Sequence, residues 1–371
     1  MKNKRKQVEV AGKYNTAIVF TERIEPVVEE QIRILCDQEF TKESKIRIMP
    51  DVHVGIGCTI GTTMTIQDQV VPNLVGVDIG CGVEVIKLKN KHIELEKLDK
   101  LIYHKVPCGF KIRSKEHPFN DGIDLEKLRC KSRVNLTRAR LSIGTLGSGN
   151  HFIEVNKDSF GDLYVVIHSG SRHLGNEVAR FYQKEAYQSS KVDIPKNLAY
   201  LEGFLFEDYI HDMKLIQEFA SINRKAIAHE IVKEMGLKIE DQFTSIHNYI
   251  DTERMILRKG AVSAEEDEVF LIPINMRDGS IICKGKGNPD WNFSAPHGAG
   301  RVMSRSHAKN VLTLTEYKKT MEGIYTTSVN RQTLDECPLV YKTMDEIIEN
   351  TSDTLEIVDR IIPIYNFKAA D

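Results

Sequence analysis

The chain has 371 residues, with 51 Lys and Arg against 53 Asp and Glu, and a hydrophobic content of 41%. Such a length can bury a large core, and the composition is typical of a soluble globular protein. A net charge of −2 excludes a globally basic nucleic-acid-binding protein, so local basic patches must hold any such partner.

The chain begins with MKNKRKQVEV, which is basic, but no apolar segment follows it. No apolar run reaches membrane-spanning length, so we expect neither a signal peptide nor a membrane partner. The seven cysteines are odd in number and include no Cys-x-x-Cys pair. We therefore expect a cytoplasmic protein with reduced thiols, in which any special cysteine is a ligand or a nucleophile.

Residue periodicity predicts helices and strands in irregular alternation along the chain. Helices are predicted at 25–39, 93–104, 124–140, 175–236 with a break near Pro195, 300–322 and 343–350. Strands are predicted at 45–50, 59–67, 82–89, 141–147, 151–155, 163–169, 243–250, 268–276, 279–286 and 357–367. This order favours a mixed α/β (α+β) fold over a regular doubly wound sheet. We expect one large domain over 1–371, with β-sheets, surrounding helices and a metal centre at strand ends.

Five side chains of metal-ligating type lie at glycine-rich turns or strand termini. Asp78 and Cys81 lie three residues apart in GVDIGCG, where glycines allow a sharp turn. His151 opens a strand after GTLGSGN, and His168 and His247 each end one. Imidazole and thiolate favour Zn, Co or Fe-type ions, and the carboxylate shifts the preference towards Mn. A bridging thiolate would suit two ions, the arrangement common in phosphoryl chemistry.

An ordinary structural role remains open for each of these residues taken alone. A histidine after a strand is often a hydrogen-bonded core residue, and a buried cysteine often acts as a small hydrophobe. The scattered spacing also fits no zinc-finger pattern. Other histidines are expected to be solvated or to lie on helices without a site role: His92, His104, His117, His173, His211 and His229.

His297 lies between Pro296 and Gly298 in SAPHGAGR, where packing alone does not explain a histidine. We expect an exposed turn before a helix that begins near Gly300, whose N-terminus would favour phosphate. The chain has no phosphate-binding GxxxxGK[ST] loop, no GxGxxG after a strand and no Lys-x-Asp-Gly nucleotidyl-transfer motif. If the protein handles nucleotides, the imidazole of His297 is a candidate covalent nucleophile.

Seven segments together resemble the RtcB-type RNA ligases, which join an RNA 3′-phosphate or 2′,3′-cyclic phosphate to a 5′-hydroxyl using GTP and manganese. They occur in the family order over most of the chain. The matching segments are 49–53 (MPDVH), 76–82 (GVDIGCG), 147–154 (GSGNHFIE), 167–172 (IHSGSR), 247–249 (HNY), 258–261 (RKGA) and 294–301 (SAPHGAGR).

The resemblance implies a role for each matching site residue. His297 would become guanylylated, and Asp51 is similar to an acidic residue near the site. Two Mn²⁺ ions would be bound by Asp78, Cys81, His151, His168 and His247. The GTP-binding residues would be Asn150, Phe152, Glu154, Asn248, Pro273, Asn275, Met276, Ser280, His297, Gly298, Ala299, Gly300, Tyr341 and Lys368.

The implied reaction passes through enzyme–GMP and an RNA 3′-end activated by GMP, for RNA repair or tRNA splicing. Two other functions stay open: a metal-dependent phosphoesterase without a covalent nucleotide, and a catalytically silent RNA-binding relative. Peripheral RNA contacts are less defined, because the chain is short for the family. The basic candidates are Arg129, Lys131, Arg133, Arg138 and Arg140 in the predicted 124–140 helix, with Arg172, Arg301 and Arg305.

Overall fold

The computed structural model describes residues 7–22 and 24–369, so most of the basic start of the chain lies outside the described residues. Eight α-helices occur in these ranges: α1 (Pro26–Cys36), α2 (Leu95–Lys105), α3 (Leu136–Ser142), α4 (Arg172–Ser189), α5 (Phe204–Met235), α6 (Arg305–Val311), α7 (Leu314–Thr320) and α8 (Met344–Thr351). They alternate with seventeen strands: β1 (Val8–Ala11), β2 (Thr16–Val19), β3 (Ile46–His53), β4 (Ile60–Thr65), β5 (Gln69–Val70), β6 (Gly82–Leu88), β7 (Phe152–Lys157), β8 (Leu163–Ser169), β9 (Leu201–Glu202), β10 (Ile239–Ile246), β11 (Asn248–Asp251), β12 (Ile256–Lys259), β13 (Ala261–Ser263), β14 (Val269–Asn275), β15 (Gly279–Gly285), β16 (Ser294–Pro296) and β17 (Leu355–Lys368). The mixed α/β prediction is confirmed.

Two large sheets organise the fold. One has the strand order β1-β2-β3-β4-β12-β11, and the other has the order β10-β6-β8-β7-β17-β15-β14. All neighbours in the second sheet pair antiparallel. The pairs β13–β16 and β5–β9 form two small ribbons. The second sheet holds four of the predicted metal-ligand positions at or beside its strand ends.

The second sheet is covered on both faces at its centre. Strand β8 is buried along its whole length, as expected for a central strand of Val, Ile and Leu. On one face Val165 and Ile167 pack with Ile102 of α2 and Ile227 of α5. On the other face Val166 packs in a separate apolar cluster with residues of β6, β14, β15 and β17. This burial fixes the register on which the site depends.

Most of the predicted elements are confirmed, including the break near Pro195 between α4 and α5. The single helix predicted at 124–140 is wrong, because only α3 and short 3₁₀ turns form there. Asp212 of α5 explains the interruption. Its carboxylate accepts the backbone N–H groups of Arg129 and Cys130 at 2.7 and 3.0 Å, so these groups do not enter a helical ladder.

The strand predicted at 141–147 does not form. The side-chain oxygen of Asn223 accepts the N–H groups of Gly144 and Thr145 at 2.9 and 3.1 Å, which replaces strand pairing. The helix predicted over 300–322 is also interrupted. Val302 N–H donates to the carbonyl of Val340, and helix α6 begins only after Ser304, whose hydroxyl caps it. His297 is therefore not at a helix N-terminus.

None of the seven cysteines, all of which lie in the described ranges, forms a disulfide. None of the helices within 7–22 and 24–369 is both long enough and apolar enough to cross a bilayer.

Candidate metal centre and adjoining pocket

Four strand ends meet at one edge of the seven-stranded sheet. Cys81 directly precedes β6, and His151 directly precedes β7. His168 lies near the end of β8, opposite Phe152 in the β7–β8 register, while His247 directly follows β10. Because β6 and β7 run away from this edge and β8 and β10 run towards it, antiparallel pairing brings the four side chains together.

The donor atoms of these residues lie within contact distance of one another. Cys81 Sγ is 3.4 Å from His151 Nε2 and 3.3 Å from His168 Nε2. His168 Nε2 is in turn 3.4 Å from His247 Nε2. Cys81, His151 and His168 are buried and form a group whose spacing suits a metal ion.

Hydrogen bonds at the far side of two rings orient them towards this centre. His151 Nδ1 lies 2.9 Å from the carbonyl of Leu146, and His168 Nδ1 lies 3.1 Å from the carbonyl of Asn150. A carbonyl accepts only, so Nδ1 of His168 carries the ring proton and its Nε2 presents a lone pair. Nδ1 of His151 also contacts the guanidinium of Arg172 at 3.1 Å. Burial lowers the pKa of His168 and His247 well below the ordinary histidine value, so both rings are neutral, as metal ligands must be.

Asp78 completes the group, and its carboxylate lies close to the backbone of residues 170–171. Its Oδ2 lies 3.0 Å from His151 Nε2, and its Oδ1 accepts the N–H of Ser171 at 2.9 Å. A Cβ at Gly170 would lie 2.2 Å from Asp78 Oδ1, so only glycine fits there. Burial alone would raise the pKa of Asp78, but the contact with His151 lowers it, which keeps the carboxylate ionised.

Two fully buried polar residues of α5 hold the loops that carry these ligands. Arg224 donates to the carbonyls of Gly80 and Ser169 at 2.8 and 3.1 Å. Asn223 donates to Ser169 Oγ and to the carbonyl of Gly170 at 3.0 and 3.1 Å. Neither residue was predicted as part of the site, because the sequence of a long helix does not distinguish a buried Asn-Arg pair from a solvated one.

The residues fit a divalent cation. Two neutral imidazole nitrogens lie only 3.4 Å apart, close to a thiol and an ionised carboxylate. Their lone pairs point at the same place and repel one another, and a cation bound between them removes this repulsion. One thiolate, three imidazoles and one carboxylate form a donor set suited to first-row metals such as Zn, Fe or Mn.

His297 lies beside this centre, with its ring centroid 4.8 Å from that of His247. Its Nδ1 is 2.7 Å from Oδ2 of Asp51, a fully buried residue of β3. The predicted open exposure is wrong: the side chain is only 16% exposed. Gly300 explains the tight fit, because its φ is +73° and a Cβ there would lie 2.3 Å from the carbonyl of Asp51. Because Nδ1 is engaged by Asp51, Nε2 is the ring nitrogen that can react.

A cavity of about 860 Å³ adjoins His297 and His168. It is large enough for a nucleotide-sized ligand. Twelve of the fourteen residues predicted to bind GTP line it: Asn150, Phe152, Glu154, Pro273, Asn275, Met276, His297, Gly298, Ala299, Gly300, Tyr341 and Lys368.

The other two predicted residues lie behind the cavity wall. Asn248 links two loops, because its amide donates to the carbonyl of Asp78 at 3.2 Å and accepts the N–H of Gly260 at 2.9 Å. Ser280 is fully buried in β15 opposite Pro273. The structure therefore places both residues in supporting positions.

A buried acidic residue that sequence analysis missed, Glu336, organises one wall. Its Oε2 lies 2.6 Å from Lys368 Nζ and accepts the hydroxyl of Tyr341 at 2.6 Å. Burial alone would raise the pKa of Glu336, but the positive charges of Lys368 and Arg305 lower it to about 2. Arg301 and Arg305 also line the cavity and approach this carboxylate. Their acidic partners and position distinguish them from an open RNA-binding surface.

Lys368 and Glu154 lie at the same end of the cavity. Lys368 donates to the carbonyl of Asn150 at 3.0 Å, and its ammonium lies 5.4 Å from the centre of the Phe152 ring. Burial raises the pKa of Glu154 to about 7, against the opposing hydrogen bonds from Asn156 and Asn366. A carboxyl group and an ammonium at one end of an apolar-walled cavity provide both acceptors and donors for a polar ring system.

His117, His173 and His211 contact groups outside the metal-type donor set. The expected solvation of His117 is wrong, because the residue is 2% exposed, accepts the N–H of Phe119 and contacts Glu230 at 3.3 Å. Contacts with Phe119, His229 and Glu230 account for its burial. His173 pairs with Glu177 at 3.3 Å, and His211 contacts the carbonyl of Lys127 at 3.1 Å.

A metal-type donor set, a carboxylate-bound histidine and a large cavity at one sheet edge define a candidate metal-dependent enzyme. A family model described as "tRNA-splicing ligase RtcB" matches residues 38–128 and 119–369. The chain therefore belongs to the RtcB family of RNA-splicing ligases.

Curated relatives from bacteria and archaea agree with this assignment. The chain is 30% identical to "RNA-splicing ligase RtcB" of Escherichia coli K12 over 356 residues, which covers 84% of this chain and 87% of the relative. It is 29% identical to "tRNA-splicing ligase RtcB" of Aeropyrum pernix over 413 aligned positions, with 85% of each chain covered. The residues matched by the family model include the five metal-type donors and His297.

Proposed function

We propose that this protein joins an RNA 3′-phosphate, or a 2′,3′-cyclic phosphate after its opening by water, to an RNA 5′-hydroxyl. GTP would be the co-substrate and His297 the covalent carrier of GMP. The observation that carries the proposal is the position of His297. One ring nitrogen contacts a buried carboxylate at 2.7 Å, while the residue borders both the cavity and the metal-type donor set.

Two overlapping donor groups would hold two Mn²⁺ ions. Asp78, Cys81 and His151 form one group, and Cys81, His168 and His247 form the other, with the thiol of Cys81 common to both. When bound, the ions supply positive charge that neutralises phosphate oxygens. The protein residues otherwise bind, orient and carry the reacting groups.

The histidine is arranged for attack on phosphorus. With Nδ1–H donating to Asp51, Nε2 keeps its lone pair and forms a bond to the α-phosphorus of GTP, while the bond to the β-phosphate oxygen breaks and pyrophosphate leaves. The carboxylate of Asp51 stabilises the positive charge that develops on the ring. An oxygen of the RNA 3′-phosphate then attacks the same phosphorus and breaks the N–P bond. Finally the 5′-hydroxyl attacks the RNA phosphate, and GMP leaves.

The cavity provides groups suited to guanine. Glu154 accepts N–H donors when ionised, Lys368 can donate to the carbonyl oxygen of the base, and the ring of Phe152 offers an apolar face. The proposed nucleotide site also includes Asn248 and Ser280 as supports of its walls. We further propose that residues 1–371 act as one cytoplasmic catalytic domain, supported by a site that combines Asp51 of the first large sheet with His168 and Lys368 of the second.

The test is covalent labelling with GTP radiolabelled at the α-phosphate, in the presence of Mn²⁺. The protein should retain acid-labile label, and His297→Ala should retain none, because the nucleophile is lost. His307→Ala, an exposed histidine of α6, is the matched control and should label normally. Absence of label with the unsubstituted chain, together with release of phosphate from RNA ends, would instead indicate a phosphoesterase.

Joining of two RNA oligonucleotides, one with a 3′-phosphate and one with a 5′-hydroxyl, tests the complete reaction. Halves of a cleaved tRNA are the first natural substrate to try, because the archaeal relatives are named tRNA-splicing ligases. The product should require both GTP and Mn²⁺. A product formed equally by His297→Ala would refute the covalent route.

A further inference from the structure

The metal-type centre has a second open side besides the cavity. The Asp78 side chain is 30% exposed, whereas that of His151 is only 4% exposed. A Cβ at Gly76 or Gly149 would meet nothing within 4 Å. With a nucleotide in the cavity, this second side, along the segment 146–150 that leads to His151, stays open to an RNA end.

The turn Cys108–Lys111 packs against this segment. Gly109 N–H donates to the carbonyl of Gly147 at 2.9 Å, and Leu146 N–H donates to the carbonyl of Pro107 at 2.9 Å. At the tip of the turn Phe110 is 82% exposed. The backbone of this turn is held by hydrogen bonds, but the Phe110 ring itself lies in water and has no packing role. An exposed aromatic ring face is a surface on which a nucleobase can stack.

The charges around the turn suit a polyanion. Arg138 donates to the carbonyl of Phe110 at 3.1 Å, and a Cβ at Gly147 would overlap the guanidinium of Arg172. Lys111 follows Phe110 directly and is exposed. In the described part of the chain, none of these three cations forms an ion pair with a carboxylate, but Arg172 is half-buried and its guanidinium lies 3.1 Å from His151 Nδ1. Among the other basic candidates, Arg140 is paired with Glu126 at 2.8 Å and Arg129 with Asp208 at 3.9 Å.

From this arrangement we propose that Phe110 is a base-stacking residue for single-stranded RNA that enters the metal centre, with Lys111, Arg138 and Arg172 along its phosphates. This inference rests on the proposed function and adds the path of its substrate. The stacked base belongs to a nucleotide near the reacting end, because the turn is hydrogen-bonded to the segment that carries a ligand. Stacking reads no sequence, so the surface would accept RNA of many sequences.

The test compares Phe110→Ala with Phe160→Ala in the full chain. Phe160 is 85% exposed and lies on the β7–β8 turn, at the opposite end of β7 from His151, about 20 Å along the strand. Neither substitution opens a cavity. RNA affinity is measured by fluorescence anisotropy with two labelled single-stranded oligonucleotides, one ending in a 3′-phosphate and one beginning with a 5′-hydroxyl.

Phe110→Ala should weaken the binding of at least one oligonucleotide by about tenfold, and Phe110→Trp should restore it. Phe160→Ala should bind as the unsubstituted chain does. Substitution of 2-aminopurine at successive positions then identifies the stacked nucleotide by quenching that Phe110→Ala removes. The oligonucleotide affected shows which of the two RNA ends crosses the turn.

Labelling with α-labelled GTP separates this inference from the proposed function. Phe110→Ala should form enzyme–GMP at the normal rate, since the turn does not line the cavity. Unchanged RNA affinity in Phe110→Ala, or an equal loss in Phe160→Ala, overturns the stacking role while RNA joining stands. If the unsubstituted chain neither labels nor binds RNA, the proposed function itself fails, and the stacking role fails with it.

Discussion

Substitution of Asp51 by Asn should slow the formation of enzyme–GMP far more than it weakens GTP binding. The Asp51 carboxylate is fully buried and lies 2.7 Å from His297 Nδ1, a short distance for a charge-assisted hydrogen bond. Hydrogen bonds to charged groups contribute about 1.5–3 kcal/mol, which corresponds to about 10- to 150-fold in rate. An asparagine amide that turns its NH₂ towards Nδ1 would also move the ring proton to Nε2 and block the nucleophile. We therefore expect a loss of about 100-fold.

The assay is single-turnover labelling with excess α-labelled GTP, over a range of GTP concentrations. The limiting rate should fall, and the concentration for half-maximal rate should change little, because Asp51 is not among the residues that line the cavity. Asp68→Asn, an exposed carboxylate before β5, is the matched control. Thermal unfolding of each variant checks that the fold is kept. A normal limiting rate in a folded Asp51→Asn variant would refute the assigned orientation of His297.

Three further results are expected. Cys81→Ser should lower Mn²⁺ affinity by at least about tenfold in calorimetric titration, and unchanged affinity would remove the thiol from the site. Glu336→Gln leaves the Lys368 ammonium buried without its partner, so urea unfolding should show a loss of about 3–5 kcal/mol, whereas Glu346→Gln, at a more exposed pair, should change little. Glu154 has a folded-state pKa of about 7, above its unfolded value, so it stabilises the metal-free protein fully below the unfolded value and less as the pH rises through about 7. The stability of Glu154→Gln should lack this decline, and identical pH profiles would contradict the assignment.

Four of the five residues predicted as metal ligands lie where a strand begins or ends beside a glycine, serine or asparagine, which made them recognisable in the sequence. Antiparallel strands then bring such positions to a common edge, as His151 and His168 show. Tertiary contacts of single polar side chains were not predictable in this way. Asp212 and Asn223 lie on a helix, and their sequence neighbours do not show that they bind backbone N–H groups of 129–130 and 144–145.

The residues of the cavity also differ in whether the sequence alone reveals them. The residues of SAPHGAGR were identifiable, but the pairing of Glu336 with Lys368 joins positions far apart in the sequence. The limited exposure of His297 depends on Gly300, which packs against β3 rather than opening a helix. The corrections thus come from long-range packing, whereas the residues proposed for the site were chosen from local turn chemistry.

The β7–β8 register has a consequence for how this chain can change in length. Side chains alternate between faces, so a single added or deleted residue inside either strand would turn His168 away from His151. The turn between the strands is different, because Asp158 and Asp162 close it with their own hydrogen bonds at 2.7 and 3.1 Å. An evolving or redesigned hairpin can therefore vary in length at this turn, while the strands that lead to the metal-type centre keep a fixed residue count.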